Sequence, residues 1–316
     1  MQSLIDGEEN FNLTDEGSLE KYLGIEIKTA GKDTYELTQT FLIQRIIDLA
    51  NMDSTERQKR ATPVGKPLLF KDLKGKCRKK NYNYRAMIGM LNYLQGTTRP
   101  DISMAVHQCA RFCNDPKLSH ERAVHRIIHY LIQTKDKGIT CKIDRSKGIE
   151  LFVDADFAGG WNILDSYNTD NLLSRTGFII CYAGIPIYWK SKLQSEISLS
   201  TCESEYIALS MGMRELIPFM ALVKEINTVF DIGYETPRVN CKIYEDNMSC
   251  IAVAESKKPP LRTKHIALKY HFFRGVITRG EAELHYIDTK EQLADLLTKP
   301  LDDAQFFALR KKLMGW

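Results

Sequence analysis

Four acidic side chains stand in settings that suit metal chemistry: Asp154, Glu205, Asp246 and Asp295. Asp154 follows Glu150-Leu151-Phe152-Val153, a strand pattern that breaks on Gly159-Gly160. Alternation along a strand puts Leu151 and Val153 on one face, Phe152 and Asp154 on the other. An aspartate at the end of such a strand sits on a rigid element at a sheet's rim. Glu205 lies in the first turns of a helix that begins near Ser200, on the side of Ala208, Leu209 and Gly212. Glu203, two residues earlier, points elsewhere and reads as solvent-facing. Asp246 ends the strand Ile243-Tyr244-Glu245, and Asn247 begins a turn. Asp295 is surrounded by Leu293, Ala294, Leu296 and Leu297. An acid there is costly unless it is paired or metal-bound. Each has a plain alternative: turn residue for Asp154, helix cap for Asp246, partner of a helix dipole for Glu205. Jointly they suit hard cations, Mg²⁺ with Mn²⁺ as a substitute. Two such ions about 3.5–4 Å apart clamp the attacking and leaving oxygens of a phosphodiester.

The elements that must position these acids begin at Ile139. Strands fit at 139–144, 149–155, 177–183, 186–190, 239–245 and 282–287. A long helix fits at 200–227, bent at Pro218, with shorter helices from 248, at 265–278, 290–299 and 304–313. Residues 161–174 read as an exposed polar insertion. Three strands in succession, then helices alternating with strands, predict a mixed sheet with helices packed on it. Upstream, Lys21–Lys28 and Thr34–Thr38 form a hairpin about Gly31-Lys32-Asp33. Thr38 is a candidate cap for the next helix, whose stripe is Leu42, Ile43, Ile46, Ile47 and Ala50. Residues 53–82 read as a linker. Helices follow at 84–95, 101–114 and 119–133, the last closed by Gly138.

The chain has 316 residues, 43% hydrophobic and 27% charged, with a net charge of +4, which fits a soluble protein of about two domains. No apolar run reads as a membrane span, and no leader follows Met1. The 8 cysteines are scattered and fit a reducing compartment rather than a disulfide framework. Cys109, Cys113, His120 and His125 loosely mimic zinc spacing, but helix-face thiols are the better reading. A basic run, Lys76, Arg78, Lys79 and Lys80 beside Tyr82 and Tyr84, is a candidate grip on a nucleic-acid backbone or a solvated loop.

The local wording of the second half resembles the ribonuclease H domain of copia-type retrotransposon Pol polyproteins. It does so at Asp154-Ala155-Asp156-Phe157-Ala158-Gly159, Trp189-Lys190-Ser191-Lys192, Ser200-Thr201-Cys202-Glu203-Ser204-Glu205-Tyr206, Arg262-Thr263-Lys264-His265-Ile266 and Ala294-Asp295-Leu296-Leu297-Thr298-Lys299. Upstream, Tyr22-Leu23-Gly24-Ile25-Glu26-Ile27 resembles the primer-grip hairpin of the same polyprotein's reverse transcriptase. Tyr84 to Leu94 and Thr98-Arg99-Pro100-Asp101-Ile102 resemble its thumb. The resemblance implies an α/β fold: a ribonuclease H-like mixed five-stranded sheet flanked by helices, preceded by a mainly helical thumb with a β-hairpin. It implies three parts: 1–52, palm remnant with primer grip and first helix; 53–138, linker and helical thumb; 139–316, ribonuclease H domain. The implied reaction is two-metal cleavage of the RNA strand of an RNA–DNA hybrid. Asp154 would bridge both ions, Glu205 and Asp246 would complete one site, and Asp295 the other. Lys190, Lys192, Arg262, Lys264 and His265 would contact nucleic acid, as would the basic run.

The departures carry information. The Tyr-x-Asp-Asp polymerase motif is absent, and Asp302-Asp303 lies far past its place, so no DNA polymerase activity is expected of this chain alone. No histidine lies between Ile287 and Asp295, where some ribonucleases H carry a mobile one; His265 and His285 have no assigned role. The expected partners are an RNA–DNA hybrid and the rest of the Pol polyprotein (fingers and palm, integrase), with no membrane. The expected setting is intracellular, in a cytoplasmic virus-like particle if the element is active. The alternative is a non-catalytic nucleic-acid-binding remnant of a truncated retroelement. A transposase or integrase on a related fold would usually place its glutamate last, not second.

Overall fold

The computed structural model describes residues 17–52, 60–79, 81–161, 169–230, 241–256 and 271–316. Strands β1 (Lys21–Tyr22), β2 (Ile25–Gly31), β3 (Thr34–Thr38) and β4 (Ile139–Lys142) form one antiparallel sheet in that order. Strands β5 (Ile149–Asp156), β6 (Arg175–Tyr182), β7 (Ile185–Leu193), β8 (Cys241–Glu245) and β9 (Glu283–Tyr286) form the second, ordered β7-β6-β5-β8-β9. β5, β6 and β7 are antiparallel, whereas β8 and β9 run parallel to β5. This is the mixed five-stranded α/β sheet expected of a ribonuclease H-like fold.

The helices are α1 (Thr40–Leu49), α2 (Tyr84–Thr97), α3 (Ser103–Ala110), α4 (Leu118–Gln133), α5 (Thr201–Phe230), α6 (Met248–Glu255), α7 (Arg274–Thr278), α8 (Asp295–Thr298) and α9 (Asp303–Met314). Alternation on β5 assigns its two faces. Leu151, Val153 and Ala155 pack with Tyr206, Leu209, Met213 and Leu216 of α5. Gly212 lets the helix lie close: a Cβ there would stand 3.2 Å from Leu151 and 3.3 Å from Val153. By length and composition, the 29 residues Thr201–Val229 are apolar enough to cross a membrane, which corrects the reading that no such run exists. Half of the apolar window is buried, as in a core helix.

The other face of the sheet presents Phe152, Ile179, Cys181 and Trp189 to a core that continues without a break into α1, α2, α3 and α4. Trp189 Nε1 donates to Gln95 O on α2 at 2.7 Å. This helical layer thus closes the open face of the five-stranded sheet. At its centre Arg99 is fully buried, with Nε and Nη2 donating to Asp101 at 2.9 and 2.8 Å.

Three local expectations are corrected. The strand at 139 pairs with β3 of the hairpin, not with the five-stranded sheet. Gly138 does not cap a helix, which ends at Gln133. It passes so close to Leu37 that a Cβ would clash with the Leu37 carbonyl at 1.8 Å, so close packing excludes a side chain there. Thr38 does not cap α1, whose N-cap is Gln39 with no side-chain bond; the Thr38 hydroxyl is buried without a hydrogen bond. Of the helix expected at 265–278, the described part is helical at Arg274–Thr278, and 257–270 lie outside the described residues.

Candidate metal centre

Asp154 is fully buried on β5, opposite Gly177 of β6. Its Oδ2 accepts from Thr298 Oγ1, and its Oδ1 accepts from Lys299 Nζ at 3.0 Å. The same ammonium donates to Asp295 Oδ1 at 2.9 Å. Asp295 opens α8 and is 3% exposed. The turn before it is tied to two strands, because Gln292 Nε2 donates to Val153 O at 2.8 Å and to Tyr244 O at 3.3 Å. Gly177 leaves room for α8: a Cβ would stand 2.6 Å from Thr298 Cγ2 and 2.9 Å from Ala294 O. Gly177→Ala is expected to cost about 1–3 kcal/mol by overpacking, read as a lower urea midpoint.

Asp246 follows β8, and its Oδ2 accepts from Thr289 Oγ1 at 2.7 Å. Glu245, the last residue of β8, is fully buried; its Oε1 accepts from Asn247 N at 3.1 Å. Glu205, early in α5, is 6% exposed. Glu203 instead closes the helix start, accepting from Leu199 N at 2.8 Å while its own N–H donates to Ser200 Oγ at 3.1 Å. Ligand oxygens of Asp154, Asp246 and Asp295 lie within 4.8 Å of one another, as do those of Glu205, Glu245 and Asp246. The shared member of the two sets is Asp246, where the sequence reading gave the common position to Asp154.

The donor set fits divalent cations. Glu205 Oε2 and Glu245 Oε2 are buried and have no hydrogen-bond partner, a costly state for carboxylates without a counter-charge. Burial, then the neighbouring Asp154, Glu245 and Asp246, pushes the Glu205 pKa well above the usual carboxylate range. Burial, then Asp246 and Asp154, does the same to Glu245, against the opposing Asn247 N–H. Asp295 is pushed up to about 7 by burial and then Asp154, with Lys299 opposing. Asp156 is pushed up to about 6, chiefly by burial. Burial works against the charge of Lys299, but Asp154 and Asp295 outweigh it and hold the ammonium protonated.

A pH dependence follows. Carboxyls whose pKa is raised by folding bind protons more readily in the native than in the unfolded state. Their contribution to stability is full below about 4 and is lost as pH rises through about 6 for Asp156 and about 7 for Asp295. Metal-free protein in EDTA is expected to lose stability between pH 5 and pH 7.5, measured by urea unfolding. Saturating divalent cation is expected to reverse the loss at pH 7.5.

The expected nucleic-acid residues are dispersed. Lys192 on β7 is exposed, and Lys190 lies 3.8 Å from Glu215 of α5. Lys76 and Lys79 are exposed. Arg78 is committed elsewhere: it pairs with the buried Glu121 at 3.2 Å and stacks over Tyr82 and Tyr84. Lys80, Arg262, Lys264 and His265 lie outside the described residues. His120 Nε2 donates to Phe70 O, 3.0 Å away, and its ring stacks on Phe112, a packing role rather than a zinc-ligand one. Two residues of the centre escaped the sequence reading. Glu245 reads as an ordinary strand residue, although a strand period of two from Ile243 marks it as inward-facing. Lys299 stands one helical turn after Asp295, a spacing that could have flagged it.

The sheet order, with acids converging at the ends of β5 and β8, defines a ribonuclease H-like α/β protein. No protein-family model matches the chain. The Pol polyprotein of transposon RE2 from Arabidopsis thaliana is 30% identical over 305 residues, 96% of this chain and 20% of that protein. The Pol polyprotein of transposon TNT 1-94 from Nicotiana tabacum is 32% identical over 321 residues, 97% of this chain and 22% of that protein. The chain belongs to the copia-type retrotransposon Pol polyprotein family. It spans about a fifth of the length of these curated relatives. A solved ribonuclease H1 isolated from compost by a metagenomic approach is 14% identical, covering 48% of this chain and 92% of that one at a TM-score of 0.34.

Proposed function

We propose that this chain is the part of a retrotransposon reverse transcriptase that cleaves the RNA strand of RNA–DNA hybrids. The observation that carries the reading is the convergence of Asp154, Glu205, Glu245, Asp246 and Asp295 on the rim of a ribonuclease H-like sheet, in a chain of the Pol family. Two sets of oxygens sharing Asp246 would hold a pair of Mg²⁺ ions, or Mn²⁺ in their place. Ions so held would supply an activated water and charge stabilisation for a leaving 3′ oxygen. Asp154 and Asp295 would hold the ions from β5 and α8, Glu205 from α5, Glu245 from the end of β8 and Asp246 from the residue after it. Gln292 orients the Asp295 turn. The cleft beside the acids is lined by Phe157, Thr201, Asn247 and Ser249, which supply polar and ring contacts for a nucleic-acid backbone. Hybrid would be told from DNA by its 2′-hydroxyls and shape rather than by base sequence.

Lys192, Lys190, Lys76 and Lys79 are the candidate phosphate contacts among the described residues; Arg78 is not, because Glu121 holds it. The remaining partners are the rest of the Pol polyprotein, with fingers, palm and integrase, in an intracellular particle. A labelled RNA–DNA hybrid incubated with the purified chain and Mg²⁺ tests the reading. Cutting of the RNA strand that stops in EDTA supports it. Hybrid binding with no cutting at any Mg²⁺ or Mn²⁺ concentration points to the non-catalytic remnant instead. Primer extension by the same preparation would contradict the expectation drawn from the absent Tyr-x-Asp-Asp motif.

A further inference from the structure

Within the acidic centre, the two halves are not charged alike. Around Glu205 and Glu245, one oxygen of each is buried and bare. Around Asp154 and Asp295, the Lys299 ammonium sits between the carboxylates, 3.0 and 2.9 Å from them. Both Asp154 oxygens are engaged, Oδ1 by Lys299 and Oδ2 by Thr298. Lys299 is the C-cap of α8, and its backbone is extended there. Its side chain therefore folds back over the single turn that Asp295 begins, so that one short element supplies both a ligand and a cation. The ammonium also has somewhere to go. Lys299 lines the acidic cleft with Asp156, Glu205 and Asp246, and it lines an adjoining groove with Lys66, Phe70 and Trp161.

We propose that Lys299 is a tethered cation that fills the Asp154–Asp295 half of the centre in the metal-free protein and must swing out before a divalent cation enters. This rests on the metal-centre reading above. Two buried carboxylates this close need a counter-charge to stay folded. A lysine suits a removable one, because its ammonium is a compact point charge on a flexible stem. The ammonium and a divalent ion cannot share the same oxygens at contact distance, so the two compete. The Glu205–Glu245 half offers no such rival and is the half that fills first.

The test is Mn²⁺ titration calorimetry, with thermal melting in EDTA, on the full chain and its Lys299→Met and Lys299→Arg variants. Lys299→Met is expected to bind Mn²⁺ about tenfold more tightly or better, to melt lower in EDTA, and to regain its melting temperature with Mn²⁺. Lys299→Arg keeps the charge and can clamp both carboxylates with its fork. It is expected to melt in EDTA like the parent and to bind Mn²⁺ about fivefold more weakly. If the parent binds Mn²⁺ and Lys299→Met binds it no more tightly, the competition is refuted while the metal centre stands. Should Lys299→Met not fold, an Arg variant with unchanged or tighter Mn²⁺ binding refutes it equally. If the parent and both variants fail to bind Mn²⁺, the metal-dependent function falls, and this inference with it.

Discussion

Asp154→Asn is expected to slow metal-dependent cleavage of an RNA–DNA hybrid about a thousandfold or more, with the fold retained. Asp154 belongs to the first carboxylate set and is fully buried. Amide oxygen is a weaker ligand for a hard cation than carboxylate. Metal-assisted charge stabilisation is worth several kcal/mol, and about 4 kcal/mol corresponds to about a thousandfold in rate. The fold should tolerate the change, because an amide removes one charge from a crowd of like charges, its oxygen still accepts from Lys299, and its NH2 can donate to the Thr298 hydroxyl. Circular dichroism and single-turnover cleavage of a labelled hybrid check the two halves of the expectation. A folded Asp154→Asn protein that cuts at the parental rate would remove Asp154 from the reaction.

Arg99→Met is expected to destabilise the chain by about 3–5 kcal/mol, the cost of leaving a buried ion without its partner. Besides its two bonds to Asp101, Arg99 donates from Nη1 to Thr134 O at 3.0 Å and from Nη2 to Thr134 Oγ1 at 2.8 Å. Its guanidinium lies 5.4 Å from the ring centres of both Tyr130 and Trp316. Asp101 also accepts from Tyr130 OH at 2.6 Å, which in turn accepts from Arg310 at 3.1 Å. Every donor aimed at this buried pocket has a partner, so removing one member strands the others. Urea unfolding reads the loss. The double variant Arg99→Met with Asp101→Leu is expected to recover a large part of it, since no lone buried charge then remains. A single variant with an unchanged midpoint would show the network to be dispensable.

Much of the centre was legible because it follows from short-range periodicity. Strand alternation separated Asp154 from Leu151 and Val153. Helical spacing set Glu205 apart from Glu203. The apolar neighbours of Asp295 marked it as an acid in a costly place. The same cost argument applied to Glu245 would have found it, but its position inside a strand disguised it. What stayed hidden depends on partners far away in the chain. Arg78 reads as a free phosphate contact until Glu121, 43 residues on, is placed against it. Gly138 reads as a helix stop until the backbone of Leu37 is placed beside it. Ile139–Lys142 reads as a strand of the second sheet because its apolar pattern suits either one; its pairing with β3 is a tertiary choice. Arg99 marks a helix end in the sequence, and nothing near it announces a buried ion pair.

The unbroken core between helices α1–α4 and the back of the five-stranded sheet bears on how this protein can be dissected. Cutting the chain at its most obvious sequence boundary, near residue 138, would bare Ile179, Cys181 and Trp189 on one piece and Leu91, Leu94 and Ile128 on the other. Neither piece would keep a covered interior, so a recombinant fragment starting there would aggregate. Mixing or co-expressing the two pieces would be the way to recover a soluble protein.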